Sequence, residues 1–170
     1  KKLFFSDKKV ILESIKLKNR SLLNDLKLNI IQEESKSKIS NNLITKNISI
    51  NSKLIKKNDV FFAIKGKKFD GNRFAFEAFK KKSSLVVINQ INKKIPSSKQ
   101  IKVKDTLSFL SNCASIFRQN INAKIISITG SCGKTTLKEM IGNTLAKISK
   151  TTFSLKSYNN KYGVPLSLFN

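Results

Sequence analysis

The run Thr129-Gly130-Ser131-Cys132-Gly133-Lys134-Thr135-Thr136 holds the residue types that a phosphate group needs. Phosphate is bound by backbone N–H groups and by the positive end of a helix. Glycines let the backbone come close and take conformations closed to other residues, and Gly130 and Gly133 fit that role. Lys134 supplies a flexible point charge for the outer phosphates of a nucleoside triphosphate. Thr135 can place its hydroxyl on Mg2+, which makes it the candidate metal residue. Ser131, Cys132 and Thr136 complete the candidate nucleotide site. The general phosphate-binding motif puts four residues between its two glycines. Here only Ser131 and Cys132 intervene, so that generic spacing is not met.

Such a loop works only between a strand and a helix. Ile125-Ile126-Ser127-Ile128 before it reads as the strand, and a helical pattern opens from Leu137. Upstream, Ile44, Ile48 and Ile50 sit on even positions, as in a half-buried strand. Val60-Phe61-Phe62-Ala63-Ile64 and Leu85-Val86-Val87-Ile88 are continuous apolar runs that read as buried strands. Ile101-Lys102-Val103 is a short one. Phe69-Asp70-Gly71-Asn72 is turn chemistry, followed by a short helix through Phe74, Phe76, Ala78 and Phe79. Asp105 caps a helix with Leu107, Leu110, Ala114 and Phe117 on one face, ending near Asn120. Val10 to Leu17 reads as a short helix, and Glu33 to Ser40 as a polar linker. Strands alternating with helices predict an α/β fold. Three regions follow: an extension or linker over 1–40, a small α/β domain over 41–120 including its connecting helix, and the start of a second α/β domain over 121–170.

Composition narrows the function classes. The net charge is +24, but only Arg20, Arg73 and Arg118 are arginines and the lysines run along the whole chain. A polyanion-reading face would favour arginine and cluster its charge, so the lysines read as a solvated surface and no nucleic acid is expected as partner. Cys113 and Cys132 fall in different elements with no metal-site or disulfide spacing. Histidine is absent, which removes the commonest metal ligand and general base from this stretch. The start is too short in apolar residues for a signal peptide, and no run approaches a membrane span of about 18 residues. A cytoplasmic location without stable membrane insertion is the expectation. The chain begins without Met and stops just after Pro165-Leu166-Ser167-Leu168-Phe169, so it reads as a piece of a longer protein.

The short loop resembles a family mark. Ile128-Thr129-Gly130-Ser131-Cys132-Gly133-Lys134-Thr135-Thr136 is similar to the ATP loop of the Mur ligases, which build the peptidoglycan stem peptide. Folylpolyglutamate synthetases share it. Asn159-Asn160-Lys161-Tyr162-Gly163-Val164-Pro165 resembles the Asn-Asn-x-x-Gly-Val-Pro segment of the branch that adds D-alanyl-D-alanine, as does Lys138-Glu139-Met140. Where many members carry Gly-Asn, this chain has Lys156-Ser157. Asn58-Asp59-Val60-Phe61-Phe62-Ala63-Ile64-Lys65-Gly66 is similar to the family's Gly-Asp-x-Phe-x-Ala-x-x-Gly strand. Asn51-Ser52-Lys53 stands where the family has Asp-Ser-Arg, and Asn72 ends a turn that usually ends in His. Asp105-Thr106-Leu107 and Arg118 fit the family's connecting helix. The resemblance covers residues 44–170. Phe5-Ser6-Asp7-Lys8-Lys9-Val10-Ile11 faintly resembles the tail of the preceding ligase of the pathway, as a fusion of the two enzymes would leave; an unrelated extension is the alternative.

The resemblance implies a substrate-binding α/β domain followed by the start of a central ATPase domain with a P-loop. It implies ATP and Mg2+ as cofactors, with Lys134 and Thr135 in catalytic positions. It implies UDP-N-acetylmuramoyl-tripeptide and D-alanyl-D-alanine as substrates, joined through an acyl phosphate, and a monomeric enzyme. Ser52, Asp70, Asn72, Asn159 and Asn160 are the implied substrate residues, although Asp70 serves equally well as a turn former. Machinery supplied by later parts of such ligases is missing here, so the chain is expected to be inactive by itself. A related amide ligase, such as a folate polyglutamylating enzyme, and a basic nucleic-acid-binding P-loop protein stay open as alternatives.

Overall fold

The computed structural model of the protein describes residues 20–37, 43–66, 69–154 and 160–169. Its sheet has four parallel strands in the spatial order β1-β2-β3-β4. These are β1 (Ile48–Ser49), β2 (Val60–Phe62), β3 (Leu85–Ile88) and β4 (Gln100–Lys102). Parallel strands are covered on both faces, which is why β2 and β3 are unbroken apolar runs. Helices α1 (Arg20–Ser35), α3 (Thr106–Asn120) and α5 (Gly163–Phe169) cover one face, against Val60, Phe62, Leu85, Val87 and Ile101. The other face carries Phe61, Ala63, Val86 and Ile88. It packs on Ala75 and Ala78 of α2 (Ala75–Lys80), with Ile55 and Ile95. Each large side chain buried this way contributes about 1.5–3 kcal/mol, so Phe61 and Phe62 are anchors of opposite faces.

The helix after β4 forms as its sequence predicts. The Asp105 carboxylate accepts from the Ser108 N–H at 2.6 Å, a side-chain cap. Phe109, Leu110, Cys113, Ala114 and Phe117 are its buried stripe. Phe117 meets Phe169 of α5 edge to face at 5.4 Å between centroids. Through Leu166 and Phe169, the segment after the phosphate loop contributes to the first sheet's core.

Three expectations need correction. The strand expected through Ile44, Ile48 and Ile50 is ladder-paired only at Ile48–Ser49, and Ile44 is exposed. The strand expected at Ile125–Ile128 does not form; Ile125 and Ile126 are exposed. A parallel strand needs a neighbour for its hydrogen bonds, and none of the four strands pairs with this segment. Finally, Glu33–Ser35 are helix rather than linker: α1 runs for 16 residues and buries Leu26, Leu28, Ile30 and Ile31. The helix expected at Val10–Leu17 and the tail-like stretch Phe5–Ile11 lie outside the described residues.

Candidate functional site

Helix α4 (Lys134–Ala146) opens directly from the loop. Gly133 is its N-cap and has φ 73°, in the left-handed region that glycine takes without strain. Gly130 also lies at positive φ, 152°. Gly133 brings no side chain to cap the helix. The N–H groups of Lys134, Thr135 and Thr136 open the first turn, where no carbonyl of the helix can reach them. A phosphate satisfies such groups, and the helix dipole favours its charge.

Lys134 folds back over the loop. Its ammonium donates to the carbonyls of Gly130 and Ser131, the second at 3.1 Å. Cys132 is a free, exposed thiol, with its Sγ 3.6 Å from the Ser131 hydroxyl. Thr135 and Thr136 are exposed in the first turn. Among the described residues no group of three or more His, Cys, Asp or Glu converges as a metal cluster.

The predicted substrate residues of the first sheet lie beyond the carboxyl ends of its strands, where open α/β sheets bind ligands. Ser52 follows β1 and is buried. Its hydroxyl donates to Glu77 of α2 at 3.1 Å, and Glu77 pairs with Lys81 at 3.0 Å. Lys81 also donates to the Ser52 carbonyl at 3.0 Å, which closes the ring of contacts. The Lys81 hydrogen bond, then that of Ser52, holds the Glu77 carboxyl below its usual range.

Asp70 and Asn72 follow β2 and are brought together. Asp70 Oδ1 accepts from the Asn72 N–H at 3.0 Å and from its side-chain amide at 2.6 Å. These two bonds, the side-chain one first, lower the Asp70 pKa. The Asn72 side-chain Oδ1 accepts from the Asn89 N–H, beyond β3, at 3.2 Å. Asn72 thus ties the end of β2 to the end of β3 with both halves of its amide. Gly71 permits this turn by close approach: a Cβ there would lie 2.6 Å from the Ala63 and Ile64 backbone.

Asn160 caps α5. Its Oδ1 accepts from the N–H groups of Tyr162 at 3.1 Å and Gly163 at 2.9 Å. Asn159 lies outside the described residues. The loop residues Gly130–Thr136 therefore form one constellation, Asp70 with Asn72 a second, and Ser52 a third. Glu77, Lys81 and Asn89 join these groups without having been singled out from sequence. The Glu77–Lys81 pair was legible as an i, i+4 ion pair on a helix.

Comparison with known proteins finds two matched regions. Residues 45–118 match the model of the Mur ligase family, catalytic domain, and residues 128–170 that of the Mur ligase middle domain. The chain is 34% identical over 158 residues to a UDP-N-acetylmuramoyl-tripeptide–D-alanyl-D-alanine ligase of Haemophilus influenzae, covering 91% of this chain and 33% of that one. It is 38% identical over 110 residues to a UDP-N-acetylmuramoyl-L-alanyl-D-glutamate–2,6-diaminopimelate ligase of Rickettsia montanensis, covering 65% of this chain and 23% of that one. The solved MurF ligase of Thermotoga maritima in complex with ADP superposes with a TM-score of 0.60 at 32% identity, over 76% of this chain and 30% of that one. The chain spans about a third of the length of the curated relatives it matches. With both regions matched in order, the chain belongs to the Mur ligase family.

Proposed function

We propose that the chain is the substrate-sheet and phosphate-loop part of an ATP-dependent amide ligase that joins D-alanyl-D-alanine to UDP-N-acetylmuramoyl-tripeptide. One observation carries the reading: a left-handed Gly133 opens α4 with no side-chain cap, and Lys134 is folded over the loop. The Haemophilus relative supports the substrate pair by its name, and the Thermotoga relative was solved with ADP. The substrate carboxylate would attack the γ-phosphorus of ATP, and ADP would leave. The amine of D-alanyl-D-alanine would then attack the acyl carbon, lose its proton and displace inorganic phosphate.

The chain's own residues serve the first half of that sequence. The first-turn N–H groups and the helix dipole hold the phosphates, and Lys134 exchanges its loop carbonyls for phosphate oxygens. Mg2+, when bound, neutralises phosphate charge, and Thr135 is the residue here that would hold it. The edge formed by Ser52, Asp70 and Asn72 would receive the nucleotide-sugar substrate, with Asn160 and Asn159 towards its peptide. The same reading makes the enzyme a cytoplasmic monomer without a nucleic-acid partner. Free Cys113 and Cys132 suit a reducing compartment. No helix among the described residues is long and apolar enough to cross a membrane.

The Rickettsia relative favours a second reading, a ligase adding a diamino acid one step earlier. Calorimetric titration separates them. The chain should bind ADP, lose that binding in Lys134→Ala, and prefer UDP-N-acetylmuramoyl-tripeptide to the dipeptide precursor. Preference for the dipeptide would favour the second reading, and failure to bind ADP would sink both.

A further inference from the structure

Lys134, Lys138 and Gly142 lie at four-residue intervals, along one stripe of α4. Each meets something different. Lys134 holds the loop carbonyls. The Lys138 ammonium, on a side chain only 15% exposed, donates to the Ser154 carbonyl at 2.6 Å. It also lies 6.0 Å from the Phe153 ring centroid and 3.9 Å from Glu139. Gly142 is the single buried residue of this helix, and the Phe153 ring is what covers it. A Cβ on Gly142 would come within 2.4 Å of that ring. Phe153 thus sits at the level of Gly142 and Ser154 at the level of Lys138.

We infer that Lys138 and Phe153 are positioning residues that transmit occupancy of the phosphate loop to the 151–154 segment. The inference rests on the nucleotide reading proposed above. A charge-assisted bond to a backbone carbonyl fixes the segment along the helix axis, and the ring seated on Gly142 fixes its distance from the helix. Neither contact involves a phosphate directly. Their effect is to make α4 and the 151–154 segment one body, so that ordering the loop orders that segment.

The test is amide hydrogen exchange of this chain with and without ADP, alongside ADP affinity. In the unaltered chain, ADP should slow exchange across 151–154. Lys138→Met should abolish that protection and weaken ADP binding, since the segment would no longer be ordered together with the loop. Lys138→Arg, which keeps a donor of similar reach, should restore both. Phe153→Leu should relieve the cost of Gly142→Ala, because the smaller side chain leaves room for the methyl. ADP binding with equal protection in Lys138→Met and the unaltered chain would overturn the inference alone. No ADP binding by the unaltered chain would overturn the nucleotide reading, and the coupling with it.

Discussion

At the scale of single residues, the turn after β2 shows what the sequence exposed and what it hid. Phe69-Asp70-Gly71-Asn72 was legible as a turn from composition alone. The reason for the glycine was not, because it lies in a backbone packed from elsewhere in the sequence: Gly71 needs space, not a left-handed φ. Gly71→Ala should therefore lower unfolding free energy by about 1–3 kcal/mol, as overpacking does, read as a drop in the urea midpoint at constant slope. The partners of Asp70 and Asn72 carry a pH consequence. Asp70, Glu77 and Asp105 all have carboxyls held below their ordinary values, the first by Asn72, the second by Lys81 and Ser52, the third by the Ser108 N–H. A depressed folded pKa contributes stability that is fully present above the unfolded value, and is lost as pH falls through the folded one. Stability should thus hold from neutrality down to about pH 5 and decline below about pH 4. In the double variant Asp70→Asn, Asp105→Asn that decline should be shallower; an unchanged slope in acid-dependent urea titrations would refute the assignment.

At the scale of elements, legibility followed cap chemistry and unbroken apolar runs. Helix α3 had both a capping Asp105 and an i, i+3, i+4 stripe, and it appears where the sequence puts it. Asp105→Ala should cost about 1 kcal/mol of stability, the usual value of an N-cap. Helix α1 escaped notice because its signals are weak: no acidic residue in its first turn and no basic one in its last. Its end carries no glycine either. Lys36 takes the left-handed conformation there, with φ 53°, and Lys82 does the same after α2, with φ 63°. Glycine is the residue sequence reasoning expects at such a stop. A non-glycine in that region costs about 1–2 kcal/mol. Lys82→Gly should therefore raise the thermal midpoint; a fall would show that the lysine side chain has a packing role that outweighs the strain. The Ile125–Ile128 strand failed for the opposite reason. Its local signal was strong, but a strand is a property of a pair, and no described strand stands beside it.

At the scale of the whole molecule, two parts of unequal burial carry the two halves of the proposed site. The four-stranded sheet is closed on both faces, and Val60, Phe61, Phe62 and Val86 are all essentially out of solvent. Around the phosphate loop, by contrast, Ile125, Ile126, Leu137, Met140 and Ile148 are exposed, and α4 buries only Gly142. Segments with few buried apolar contacts open at free energies well below that of global unfolding. Residues 124–154 should therefore exchange their amides faster than β2 and β3. Saturating ADP should slow that exchange by the factor one plus ligand concentration over its dissociation constant. Turnover asks for more than binding. The loop offers N–H groups, Lys134 and Thr135, yet the described residues gather no acidic cluster for the metal, and the chain spans about a third of its relatives. Positioning of both substrates and neutralisation of the transferring phosphate supply most of such a reaction's acceleration. Spanning about a third of its relatives' length, the 170-residue chain should bind ADP but release no phosphate when given ATP, Mg2+, UDP-N-acetylmuramoyl-tripeptide and D-alanyl-D-alanine. Sustained phosphate release, abolished by Lys134→Ala, would show instead that the loop and the strand-end residues suffice.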